Sequence, residues 1–131
     1  MHRWHLLLFP ILLLGGCGGL SDRSSGNQMM LVRESSGSVG YRKLMARSRQ
    51  CGDLKIFIDQ KGLPDFLAEA NSSNRDYLIL YYLDRHQAYA CRTRGKGGTT
   101  IEFAGPYAMT NGEWKLLSDV KSRADAGTAE H

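Results

Sequence analysis

An α+β domain, with helices segregated on a small, mainly antiparallel sheet, is the fold class this sequence predicts, and three stretches carry the prediction. Tyr77 to Leu83, YLILYYL, is apolar or aromatic at every position, the composition of a strand covered on both faces. Two returning segments follow it after turn signals. AYACRTR sets Tyr89, Cys91 and Thr93 against Ala90, Arg92 and Arg94, and TIEF sets Ile101 and Phe103 against Thr100 and Glu102, so residues 77–103 read as a meander. The third stretch is Thr110-Asn111-Gly112-Glu113, the spacing of a capping box. It opens a helix over 111–122 whose stripe is Trp114, Leu117 and the stem of Lys121, with Leu116 and Val120 widening it on one side.

The remaining elements are read in chain order. MMLVR, Met29 to Arg33, is a short apolar run that suits either a first strand or a segment tucked against the domain, and SSGS breaks it. Tyr41, Leu44 and Met45 recur at helical spacing among Arg42, Lys43, Arg47 and Arg49, which predicts a basic amphipathic helix near 41–50, stopped near Gly52. A strand is the alternative there, because Val39, Tyr41 and Lys43 also alternate. Leu54, Ile56 and Ile58 alternate with Lys55, Phe57 and Asp59, predicting a strand near 54–59 that Lys61-Gly62 ends. Pro64 suits a first helical position and Asp65 its positive end, so LPDFLAEA predicts a helix near 64–71 burying Leu63, Phe66, Leu67 and Ala70, closed by NSSN. Asp84 to Gln87 and GKGG, Gly95 to Gly98, are turns.

The first residues carry a different signal. Leu6 to Leu14 is a run of nine apolar residues, and a helix needs roughly 20 to cross a bilayer. Arg3, with His2 and His5, supplies a positive start, and the small Gly15 and Gly16 follow, which is the three-part layout of a secretory signal. Leu14-Gly15-Gly16-Cys17 then resembles the lipobox of bacterial lipoprotein precursors: a branched apolar residue, two small residues and an obligatory cysteine. Gly15 stands where that class more often has Ala or Ser. The resemblance implies that the Cys17 thiol takes a diacylglyceryl group, that a peptidase cuts just before it, and that the new amine is acylated with a chain such as palmitate. By the same analogy, Gly18 rather than Asp after the cysteine implies an outer-membrane location facing the periplasm. A plain secretory signal containing a cysteine, or a short buried helix, are the competing readings.

On this reading 1–16 is a signal peptide, and 17–28, rich in Gly, Ser, Asn and Asp, is a flexible tether after the lipidated Cys17. Residues 29–122 form a single globular domain, and 123–131, without a large apolar residue, is a disordered tail. The whole chain has a net charge of +4, with no like-charge block that marks a nucleic-acid surface. With Cys17 given to lipid, Cys51 and Cys91 remain as an even pair in an oxidising compartment. A bridge between them would stabilise the fold by about 4 kcal/mol in the chain-entropy model. Free thiols are the next reading and catalysis the last, because a redox pair is typically set in a CxxC motif.

The remaining chemistry is sparse. Past the signal, the histidines are His86, in the turn DRHQ beside Asp84, and His131; a catalytic zinc takes three protein ligands, so no metal site is expected. Asp53, Asp59 and Asp65 lack the spacing of a calcium loop, and GKGG lacks the full phosphate-loop pattern, so no cofactor is expected either. No catalytic constellation is visible. Two basic clusters stand out as a candidate anionic binding patch: Arg42, Lys43, Arg47 and Arg49, and Arg92, Arg94 and Lys96, brought near the first if Cys51 and Cys91 are bridged. The expected role is a lipid-anchored, non-catalytic interaction or assembly module of the cell envelope. The alternative is a binding protein for an anionic envelope ligand such as a lipid headgroup or lipopolysaccharide, or for an acidic protein face.

Overall fold

A computed structural model describes residues 28–71, 74–95 and 98–130; the signal, Cys17, the tether before Gln28, and Lys96 lie outside the described residues. Five strands, β1 (Gln28–Leu31), β2 (Phe66–Asn71), β3 (Asp76–Tyr82), β4 (Gln87–Thr93) and β5 (Ile101–Ala108), pair antiparallel in chain order. Between β1 and β2 the chain inserts two helices, α1 (Val39–Gln50) and α2 (Gly52–Lys61), and after β5 it ends in α3 (Asn111–Glu130). This is the expected α+β class, with an antiparallel sheet and three helices.

Period-two alternation divides the core between the two faces of the sheet. Leu67, Leu78, Leu80, Tyr82, Tyr89, Cys91 and Ile101 pack with Leu44 of α1 and Leu54 and Ile58 of α2. Phe66, Ala68, Ile79, Tyr81 and Ala88 face the other way and meet Met109 and Leu117, with Trp114 of α3 beside them. β3 is buried at six of its seven positions, as the unbroken YLILYY run requires of a central strand. The capping box at α3 is formed in both directions: Thr110 N donates to Glu113 Oε1 at 3.0 Å and Glu113 N to Thr110 Oγ1 at 3.1 Å. Lys121 Nζ reaches Asp65 Oδ1 at 2.7 Å and Arg33 pairs with Asp125, so α3 is held across the ends of β1 and β2.

Two segments exchange the expected types. Residues 54–59 are not a strand but the middle of α2, because Leu54, Phe57 and Ile58 also satisfy a 3.6-residue period. Asp53 favours the helix N-terminus, and Lys55 Nζ meets Asp59 Oδ2 at 3.2 Å one turn on. Residues 64–71 are not a helix but lead into β2, every residue of which pairs with β3. Asp65, expected as an N-terminal helix residue, instead ties strands together: its N–H donates to Tyr81 O at 2.7 Å, and its Oδ2 accepts from Leu83 N at 2.7 Å.

Two smaller corrections concern α3. The helix runs on to Glu130 where a disordered tail was expected from Arg123, with Asp125 paired to Arg33. Leu116 and Val120, expected to widen the buried stripe, are 52% and 37% exposed.

Candidate functional site

α1 carries the first basic cluster and no acidic residue. Its start is fixed by Ser38, whose Oγ accepts from Arg33 N at 2.9 Å and Tyr41 N at 3.2 Å and donates to Leu31 O at 2.9 Å. Arg47 and Arg49 sit in the last turn, where positive charge complements the helix dipole. Gly40 allows the close approach to β1, since a Cβ there would lie 2.4 Å from Leu31 O. Leu44 and Ser48 face the sheet, leaving Val39, Arg42, Lys43, Ala46, Arg49 and Gln50 exposed.

Acids from neighbouring strands meet half of that cluster. Lys43 Nζ lies 3.2 Å from Glu69 Oε1 of β2, and Arg47 Nη1 lies 3.3 Å from Asp76 Oδ2 at the start of β3. Asp76 is itself buried; its N–H donates to Thr93 Oγ1 at 3.1 Å, and the Thr93 hydroxyl donates to Gly95 O at 2.5 Å. Arg47 therefore serves to neutralise a buried carboxylate. Arg42 and Arg49 form no ion pair among the described residues.

The second cluster does not join the first. Tyr89 and Cys91 of β4 face α1 and α2, so Arg92 projects from the opposite side of the sheet. There its Nε donates to Glu102 Oε1 at 2.8 Å, and Arg94 Nε lies 3.6 Å from Glu102 Oε2. The Arg92 hydrogen bond holds the Glu102 carboxyl below the usual range against the opposing effect of desolvation, with the charges of Arg92, Arg94 and Arg75 adding to it. The expected combined patch of Arg42, Lys43, Arg47, Arg49, Arg92 and Arg94 thus resolves into two surfaces on opposite sides, each partly neutralised.

The proposed bridge is absent: Cys51 and Cys91 are both buried free thiols. Cys51 occupies the bend between α1 and α2, and its Sγ is 3.5 Å from Gly98 O. Cys91 lies in mid-strand under the helices. Burial pushes both thiols up; at Cys51 the nearby Arg47 opposes this while Asp53 and Asp76 add to it. These are the surroundings of inert packing thiols.

His86 closes the short 3-10 turn Leu83–Arg85 in the left-handed region, at φ 54°, and its ring stacks on Trp114 at 4.5 Å and 10°. The indole Nε1–H donates to Leu83 O at 2.8 Å, so the pair pins the β3–β4 turn to α3. Among the described residues no group of three or more His, Cys, Asp and Glu side chains is placed to hold a metal ion, and no helix is long and apolar enough to cross a membrane.

The acid partners Glu69, Asp76 and Glu102 are what sequence reasoning missed. The first was read inside a helix, and cross-strand register, which places Glu102 opposite Arg92, depends on turn geometry that the sequence of the GKGG segment does not fix. Comparison with protein-family models, with curated proteins and with solved structures finds no significant match to this chain.

Proposed function

We propose that this protein is a lipid-anchored protein of the cell envelope, held through Cys17 at the periplasmic face of an outer membrane, and that its domain is a non-catalytic interaction or assembly module. The observation that carries the reading is the register of Arg3, the apolar run, Leu14-Gly15-Gly16 and Cys17, in which charge, length, small residues and cysteine all fall in order. Attachment through two or more acyl chains is stable where one chain is marginal. Supporting a structural role for the domain, three acids on or beside the strands are engaged by cations of the helices: Asp65 with Lys121, Asp76 with Arg47, Glu69 with Lys43.

Intact-mass analysis and fractionation of the native chain beside a Cys17→Ala variant test this. The expected native species is membrane-bound, begins at Cys17 and is heavier by its acyl chains, and the variant loses both lipid and membrane association. A soluble native species without lipid overturns the reading. The second reading, capture of an anionic envelope ligand, rests on the exposed Arg42 and Arg49 of α1.

A further inference from the structure

We infer that the outer face of α1, centred on Arg42, Ala46 and Arg49, is a docking surface for the anionic headgroups of the membrane to which the chain is anchored. This deepens the proposed function and rests on the anchor at Cys17.

The fold fixes where the anchored chain enters the domain. β1 begins at Gln28, whose register partner on β2 is Glu69, and Glu69 is the acid that binds Lys43 of α1. The chain arriving from Cys17 therefore joins the sheet about one strand spacing, roughly 4.8 Å, from the acid bonded to the exposed face of α1. Gly40, tight against Leu31 O, keeps helix and strand together. Eleven residue steps separate Cys17 from Gln28, a reach of at most about 38 Å when fully extended. The face of α1 thus lies next to the point where the tether joins the domain and well within its reach of the bilayer.

Its chemistry suits that neighbour. Arg42 and Arg49 are seven residues apart, so they lie on one side of the helix about 10.5 Å along its axis, with Ala46 between them and Val39, 52% exposed, at the near end. α1 contributes no acid, and the nearest acids in sequence, Glu34 and Asp53, flank it in the preceding turn and in the first turn of α2. Guanidinium groups bind phosphate oxygens in bidentate fashion, and a basic residue near an anionic leaflet is worth about a fivefold gain in association. Two arginines together shift the balance between docked and free domain by about 30-fold.

The test uses the lipidated protein carrying Ala46→Cys, labelled with a polarity-sensitive fluorophore; Cys51 and Cys91 are buried and Cys17 is blocked by lipid. It is reconstituted into vesicles of phosphatidylcholine alone or mixed with phosphatidylglycerol. On the mixed vesicles the label should report a less polar environment, and added salt or the double change Arg42→Gln/Arg49→Gln should reverse it, lowering the docked ratio about 30-fold. A label signal that is the same on neutral and anionic vesicles, or unmoved by the double change, overturns the docking, including in favour of a protein partner for this face. Failure of the protein to float with neutral vesicles overturns the anchor, and the docking with it. Flotation with an unresponsive label overturns the docking alone.

Discussion

Tyr81 is the least comfortable residue in the core. It is 0% exposed, wedged between Phe66 and Ala88 on the α3 side of the sheet, and its hydroxyl is buried with no hydrogen-bond partner. Burial, with the Glu113 carboxylate nearby, pushes the phenol well above its ordinary range, so it stays neutral at any physiological pH. An unmade hydrogen bond at such a site costs about 1–3 kcal/mol, whereas the ring fills space the core needs. Replacing Tyr81→Phe keeps the ring and removes the orphaned oxygen. The expected result is a gain of about 1 kcal/mol, read as a higher urea midpoint with unchanged slope. A loss of stability would mean that the hydroxyl is satisfied in solution, by a trapped water or by Glu113 leaving its cap on Thr110. The neighbouring Tyr82 shows the other outcome: its hydroxyl donates to Gly62 O at 2.8 Å.

At the scale of elements, α2 is decided by which side chains it leaves outside. Leu54 and Ile58 are buried against the sheet while Ile56, between them, is 57% exposed. A strand would have placed all three on one face. Leu54→Ala should therefore cost about 2–5 kcal/mol as a core truncation, whereas Ile56→Ala should stay within about 0.5 kcal/mol; equal losses would restore the strand. This is also where legibility ended. The YLILYYL strand, the returning strands and the α3 cap were readable because each carries a long or doubly determined pattern: seven consecutive apolar positions, or two reciprocal capping bonds. LKIFID and DFLAEA are six-residue windows whose apolar residues satisfy both periods of 2 and of 3.6, so the sequence does not say which is used. For DFLAEA, sheet context overrode helix propensity: pairing with β1 and β3 places Leu67 in the core on one face and Phe66 in the core on the other. The basic cluster on α1 was legible for the same reason as the cap, four cations in one helical window, and its partial neutralisation was not, because Glu69 and Asp76 arrive from strands 26 and 29 residues away.

For the whole molecule, the two free thiols set a condition on how a domain of this size stays folded. The sheet is covered by α1 and α2 on one face and gripped by α3 on the other, so stability rests on that two-sided core and not on a covalent staple. At the proposed envelope location disulfides would be favoured, and what protects Cys51 and Cys91 is physical: exchange needs a thiolate, burial pushes both thiols up, and neither is exposed in the fold. Reaction then requires opening. In native buffer a maleimide should label neither cysteine on the minutes timescale, and in denaturant it should label both. Cys51, at a bend and within reach of the Gly98 carbonyl, should open through the loop before Cys91, which lies in mid-sheet and needs the helices to lift. Measured by mass after pulses of increasing length, Cys51 should label first and Cys91 only at the rate of global unfolding. A reductant should leave the thermal transition where it is. A chain two hydrogens lighter that resists labelling even when unfolded, with a transition that falls by several degrees on reduction, would show instead that the core closes a bridge.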